Sequence, residues 1–269
     1  MWVDHLILVT ATDTAWFDSS KWPILILALV SLAVVLFTTY HRASREKFRP
    51  REIHGLKAVE EAIGRATEMA RPVLFTPGWG GDIQRPTTIA SMNILAQVAE
   101  KTAQYDCRLM YPTHDPVILT VAQEVIRESY ARAGFPDRFH EDDTRYVSSS
   151  QFGYAAAVEG MISRMKPAAV FLLGTFEAES LIMAETGNAV GAIQIAGTDS
   201  TIQLAFFIVA CDYTLIGEEL FAASGYLSGD RAILASVRAQ DILKLLIAVF
   251  LAAAVIWATI VPISSWWKF

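Results

Sequence analysis

Glycines, carboxylates and one histidine stand in this sequence just after short apolar runs, where a polar-ligand site at a sheet edge would need them. In an open parallel sheet a ligand lies outside the carboxyl ends of the strands. Taken run by run, those positions hold Gly78, Gly80, Gly81 and Asp82 after 73–76, and His114 after 108–111. Thr175 and Glu177 follow 169–173, Asp199 follows 192–196, and Asp212 follows 204–211. Backbone N–H groups of a glycine turn suit an anion. The carboxylates suit hydroxyl or amine groups and, without a cation, disfavour a densely phosphorylated ligand.

Each of these residues also has a purely architectural role open to it. A dinucleotide fingerprint needs a third glycine where Ile83 stands, Trp79 is bulky for a loop meant to approach a pyrophosphate, and no GxxxxGK[ST] occurs. The glycine turn is therefore either a strand-to-helix connection or a phosphate cradle. Thr175, Asp199 and Asp212 suit helix N-caps. Asp115 before Pro116 reads as a cap followed by a first-turn proline, which leaves the neighbouring His114 either ordinary or an oriented imidazole. Glu177 and Glu179, two apart, cannot share a helix face, and Glu218 and Glu219 are adjacent, so neither pair forms a dicarboxylate site. With no GxSxG or HExxH, no catalytic residue, metal site or cofactor is assigned. Cys107 and Cys211 are the only cysteines, have no CxxC spacing, and read as buried free thiols.

The elements that must position these residues alternate. Helical spacing of apolar residues covers 56–70, 87–105, 116–133, 152–166, 178–185 and 215–227. Short β-rich runs cover 73–76, 108–111, 145–148, 169–173, 192–196 and 204–211. Alternation of this kind implies crossover connections. The expected fold is α/β, a Rossmann-like, mainly parallel sheet of five or six strands with helices on both faces.

Two further apolar runs lie outside that pattern. Residues 24–40 carry no charge over 17 positions, and 245–263 close the chain. At about 1.5 Å per residue each covers roughly a bilayer's hydrocarbon core. Arg42, Arg45, Lys47, Arg49 and Arg51 follow the first run, whereas Lys21 alone precedes it among Asp4, Asp13 and Asp18. The positive-inside rule then places the N-terminus outside. The expected organisation is an external interfacial segment at 1–23, a span at 24–40, a basic collar at 41–51 and a cytoplasmic domain at 52–241. A second span at 242–263 and an external tail at 264–269 complete it. Trp2, Trp16, Phe17 and Trp22 suit an interfacial segment, and Trp257, Trp266 and Trp267 an outer aromatic belt.

The net charge of −6 and the lack of a basic stripe in the domain leave no nucleic-acid footprint. TPGWGGD at 76–82, CDYTLIGEELFAASGYLSGD at 211–230 and GLKAVEEAIGRATEMARPVLF at 55–75, between two spans, resemble a family of uncharacterised prokaryotic membrane proteins of unknown function. That resemblance covers nearly the whole chain. It implies two spans around one domain and carries no activity, cofactor or site residue with it. The expected role is a membrane-anchored, non-enzymatic scaffold or assembly module whose partners are the bilayer and either further copies of the chain or other membrane proteins. A membrane-tethered sensor of a nucleotide or other anion is the alternative, and an enzyme acting on a membrane-associated substrate is the third.

The charge asymmetry sets a topological prediction. Cysteines introduced beside Met1 and Phe269 should react with an impermeant reagent in intact cells, and labelling only after lysis would reverse the orientation.

Overall fold

The computed structural model describes residues 22–37, 54–229 and 231–260. The chain divides into two units, one of residues 46–237 and the other formed by 1–45 with 238–269. The basic collar and Trp2, Trp16, Phe17, Trp266 and Trp267 lie outside the described residues.

In the larger unit, six strands form one all-parallel sheet in the order β3-β2-β1-β4-β5-β6. They are β1 (Val73–Thr76), β2 (Leu109–Thr113), β3 (Thr144–Tyr146), β4 (Ala169–Leu173), β5 (Ile193–Thr198) and β6 (Tyr213–Ile216). The central strands β1, β4 and β5 are buried at every position because both faces are covered, and their few polar residues, Thr76, Gln194 and Thr198, are buried with them. In β4, Ala169, Phe171 and Leu173 enter one core and Val170 and Leu172 the other.

Helices supply the two covers with the spacing a 3.6-residue turn requires. On the first face, α2 (His54–Glu68) buries Ala58, Val59, Ala62, Ile63 and Ala66. Beside it lie α3 (Pro86–Gln104), α4 (Pro116–Arg132), which buries Ile118, Ala122 and Ile126, and α8 (Glu218–Ser228). On the second face, α5 (Gln151–Met165) buries Tyr154, Ala155, Val158, Met161 and Ile162, joined by α6 (Glu179–Ala189) and α7 (Thr201–Ala210). Of the caps expected from the sequence that of Asp115 forms, whereas α6 starts after Ala178 and α7 after Ser200 without a side-chain cap and Asp212 precedes β6, so Thr175, Asp199 and Asp212 cap no helix. Asp115 accepts the N–H groups of Val117 and Ile118 ahead of Pro116, and Ser150 accepts that of Gly153.

Two assignments from the sequence change. The run 204–211 is helical in α7 as far as Ala210 instead of forming a strand, and the sixth strand is Tyr213–Ile216, whose Leu215 and Ile216 are the residues expected to open the last helix. A short apolar run fits a buried strand or a buried helix equally by periodicity. The helix α8 begins only after Gly217, whose φ of 54° interrupts the chain between strand and helix.

The other unit contains α1 (Trp22–Phe37), 16 residues long and uncharged, and most of α9 (Arg231–Ile260). Among the described residues one helix, over Ala232–Trp257, is long and apolar enough to cross a membrane.

Candidate functional site

The strand order places a topological switch between β1 and β4, because the chain moves outward through β2 and β3 and then returns beside β1. Doubly wound sheets hold ligands in the crevice that opens there, beyond the strand ends. In this chain the two loops flanking that position bond to each other. Thr175 donates its N–H to the Pro77 carbonyl at 3.0 Å, and Gly80 donates to the Thr175 carbonyl at 3.0 Å. Gly174 donates to Gly197 at 3.0 Å, which ties the β4 exit to β5 as well.

This close approach accounts for two glycines. A Cβ on Gly78, whose φ is +80°, would lie 2.2 Å from the Thr175 oxygen, and one on Gly174, at φ +150°, would lie 2.1 Å from the Pro77 oxygen. No side chain fits either gap. A Cβ on Gly80 would meet the Thr175 and Glu177 side chains at 3.1 and 3.2 Å, and one on Gly81 would meet the Thr88 hydroxyl at 2.7 Å. Thr175 also shares a 2.6 Å hydroxyl contact with Thr87 in the first turn of α3.

Beneath the loops sits Glu179, the first residue of α6 and fully buried. Its Oε1 accepts the N–H groups of Trp79 at 3.0 Å and Glu177 at 3.1 Å, while its Oε2 accepts the Gln151 side-chain amide at 2.9 Å. Glu177 is exposed and lies 3.4 Å from the same amide. Spacing along the chain excludes a Glu177–Glu179 pair on one helix face and does not by itself give Glu179 a role. Its role is instead to gather donors from two loops and a neighbouring helix. A glutamate in the first turn of a helix that follows a buried strand is the signal that points to it.

His114 stands on the β2 side of this cluster, half-buried, with its ring 5.9 Å from Trp79 and 5.7 Å from Tyr154. Its Nδ1 lies 3.1 Å from the Gly78 carbonyl. A carbonyl only accepts, so Nδ1 carries the hydrogen and the neutral ring keeps its lone pair on Nε2. Burial lowers the pKa of His114, against the opposing pull of Asp115, the Gly78 carbonyl and Glu179. The Trp79 indole donates to the Ser149 carbonyl at 2.9 Å, and the Tyr154 hydroxyl, its pKa pushed up by burial, is bonded to Thr76.

The structure thus brings Gly78, Gly80, Gly81, Thr175, Glu177 and His114 to one edge. Asp82 is at that edge too, exposed, its carboxylate accepting the N–H groups of Gln84 and Arg85 at the entry to α3. Asp199 follows β5 and is exposed. Asp212 lies at the opposite edge, where its carboxylate accepts the N–H of Gln194 near the start of β5. Its displacement follows from α7: once 204–211 is helical, Asp212 precedes a strand instead of ending one.

Two cavities lie at that opposite edge, of about 260 and 390 Å³, sharing a wall formed by Asp106, Cys107 and Arg108. Arg108 is paired there with Asp143. Burial raises the Cys107 thiol to about 11 and that of Cys211 to about 12, and both cysteines are free, Cys107 buried and Cys211 half-buried. Among the described residues no group of three or more His, Cys, Asp or Glu is placed to hold a metal ion.

The model of a family described as a domain of unknown function (DUF6754) matches residues 12–267, and the chain belongs to that family. No curated protein and no solved structure matches it.

Two measurements test this geometry. Glu179→Ala strips the acceptor from buried N–H groups of two loops and should cost on the order of 3 kcal/mol in denaturant unfolding; a change under about 0.5 kcal/mol would contradict its bridging role. Because the His114 pKa is lowered on folding, the unfolded chain takes up its proton first as pH falls below the ordinary value of about 6.5. The histidine's contribution is then full above that value and is lost as pH falls through the lower folded-state value. Thermal unfolding should show a smaller loss between pH 7.5 and 5.5 in His114→Gln than in the unaltered chain.

Proposed function

Because membership of a family of unknown function brings no activity with it, we propose from the chain itself that it is a membrane-anchored assembly or scaffold domain without catalytic chemistry. The observation that carries this reading is the stitching of the β1 and β4 loops across the switch point, which puts the chain's own backbone where a ligand's phosphates would approach. The glycines serve loop-to-loop contact, and the carboxylates at the edge complete turns or sit in solvent. The reading extends to two spans, with both termini outside and the domain in the cytoplasm. It rests there on the helix over Ala232–Trp257, the apolar α1 and the charge asymmetry of the sequence.

One observation favours small-ligand sensing instead. The Thr88 hydroxyl is buried without a hydrogen-bond partner in the first turn of α3, and no side chain caps that helix.

A single experiment separates the two readings. The full chain in detergent is screened by thermal shift against nucleotides and sugar phosphates, alone and as Thr88→Val. An assembly domain shows no ligand-dependent shift, and the variant gains about 1 kcal/mol because an isosteric apolar group replaces an unsatisfied hydroxyl. A reproducible ligand shift that Thr88→Val abolishes overturns the assembly reading.

A further inference from the structure

Helix α7 is apolar on the side that faces away from the core as well as on the side that faces it. Its ten residues, TIQLAFFIVA, contain no charge. Phe207 is buried and meets Phe176 edge-on at 5.1 Å, and Gln203 accepts a hydrogen bond from the Ser180 hydroxyl at 2.5 Å. Outward, Ile202 is 70% exposed, Phe206 38%, Ile208 55% and Val209 88%. The helix covering a sheet ordinarily carries polar residues on that outward side. Four large apolar side chains grouped on one short helix mark an interaction surface. At about 15 Å in length, from 1.5 Å per residue, it is too short to cross a bilayer.

Charge decides what covers it. From residue 167 to residue 230 the sequence has no lysine, arginine or histidine. The same stretch exposes Glu177, Glu185, Asp199, Asp212 and Glu218, and two of these, Asp199 and Asp212, flank α7 at its two ends. An anionic leaflet would be repelled by this surface. Pairing α7 with a second copy of itself sets aspartate against aspartate whether the helices run parallel or antiparallel. The complementary occupant is a polypeptide surface that is apolar at its centre and basic at its ends.

We propose that α7 is a docking face for such a partner, a protein segment with an apolar centre flanked by lysine or arginine. The proposal names the partner chemistry of the assembly domain and rests on that reading for its biological purpose. Its test uses the full chain in zwitterionic nanodiscs with two probes, an amphipathic Leu/Lys helical peptide and its Leu/Glu counterpart. The Leu/Lys peptide should bind, weaken as salt rises, and lose tenfold or more affinity for Ile202→Gln/Val209→Gln, while the Leu/Glu peptide should not bind. Both substitutions lie on exposed positions, and an unchanged thermal midpoint of the double variant shows the fold intact. Undiminished binding to the double variant would place the peptide elsewhere on the acidic surface and overturn the proposal. So would quenching of a fluorophore on Val209→Cys by brominated lipid in anionic discs, which assigns the face to the bilayer. Self-association lost in the double variant overturns it in favour of a second copy. A ligand-dependent shift in the nucleotide screen would remove the assembly reading and leave the peptide result standing; peptide failure with a flat screen removes this docking face alone.

Discussion

A carboxylate taken out of water without a cation beside it is sustained only if N–H groups replace the lost hydration, and Glu179 meets that condition with donors from the β1 loop, the β4 loop and α5. Its place as the first residue of α6 adds the positive end of that helix. The relative position of three segments is set by one side chain. The Thr175 and Gly80 backbone bonds then draw the loops together, so that Gly78 and Gly174 have no room for a side chain. Trp79 is held over His114, and His114 is oriented by the carbonyl of Gly78, so the aromatic part of the edge depends on the same arrangement.

Closure of the switch point sets the β1 and β4 loops against each other at the place where doubly wound sheets open their ligand crevice. The order β3-β2-β1-β4-β5-β6 arises because each β-α-β step packs a helix over the sheet, and that logic is indifferent to whether a ligand is held. Where a binding protein leaves backbone N–H groups pointing into a crevice, here they point at carbonyls of the facing loop. The domain also presents two distinctive surfaces: an edge with several exposed carboxylates, and an uncharged helix with an apolar outer side.

Those surfaces follow from the same helix physics. Helices in a parallel sheet begin at the strands' carboxyl ends, where acidic residues such as Asp115 and Asp82 satisfy N–H groups at or just before the first turn. At the other edge, where helices end, Arg71 donates to the carbonyls of Lys166 and Val190. The absence of any basic residue between 167 and 230 exceeds what capping requires, and it coincides with the segment that contains α7.

Much of the fold was legible in the residues alone, because apolar spacing reports which side of an element is buried. Val73–Thr76 reads as a short strand and Ala169–Leu173 as a buried one, and Pro116 after Asp115 marks a helix start, since each rests on local chemistry. The run 204–211 could not be assigned that way: its eight apolar residues satisfy either period, and only the assembled fold, with α7 connecting β5 to β6, makes all but the last of them helical. That one change carried Asp212 to the far edge and brought the sixth strand out of a presumed helix. The candidate site divides along the same line. Which residues follow strands is a property of the sequence. Whether Gly78 and Gly174 face a ligand or each other's loops, and whether Glu179 is a solvated charge or a buried tie, depend on strand order, because their partners are about 100 residues away in the chain. Side-chain types and periodicity are local quantities, and the sequence by itself determined the α/β layering, the Asp115 cap and the apolar runs; distances between segments remote in the chain exist only once the sheet is assembled, and the tertiary structure alone decided that the switch point is closed and that Thr175, Asp199 and Asp212 cap no helix.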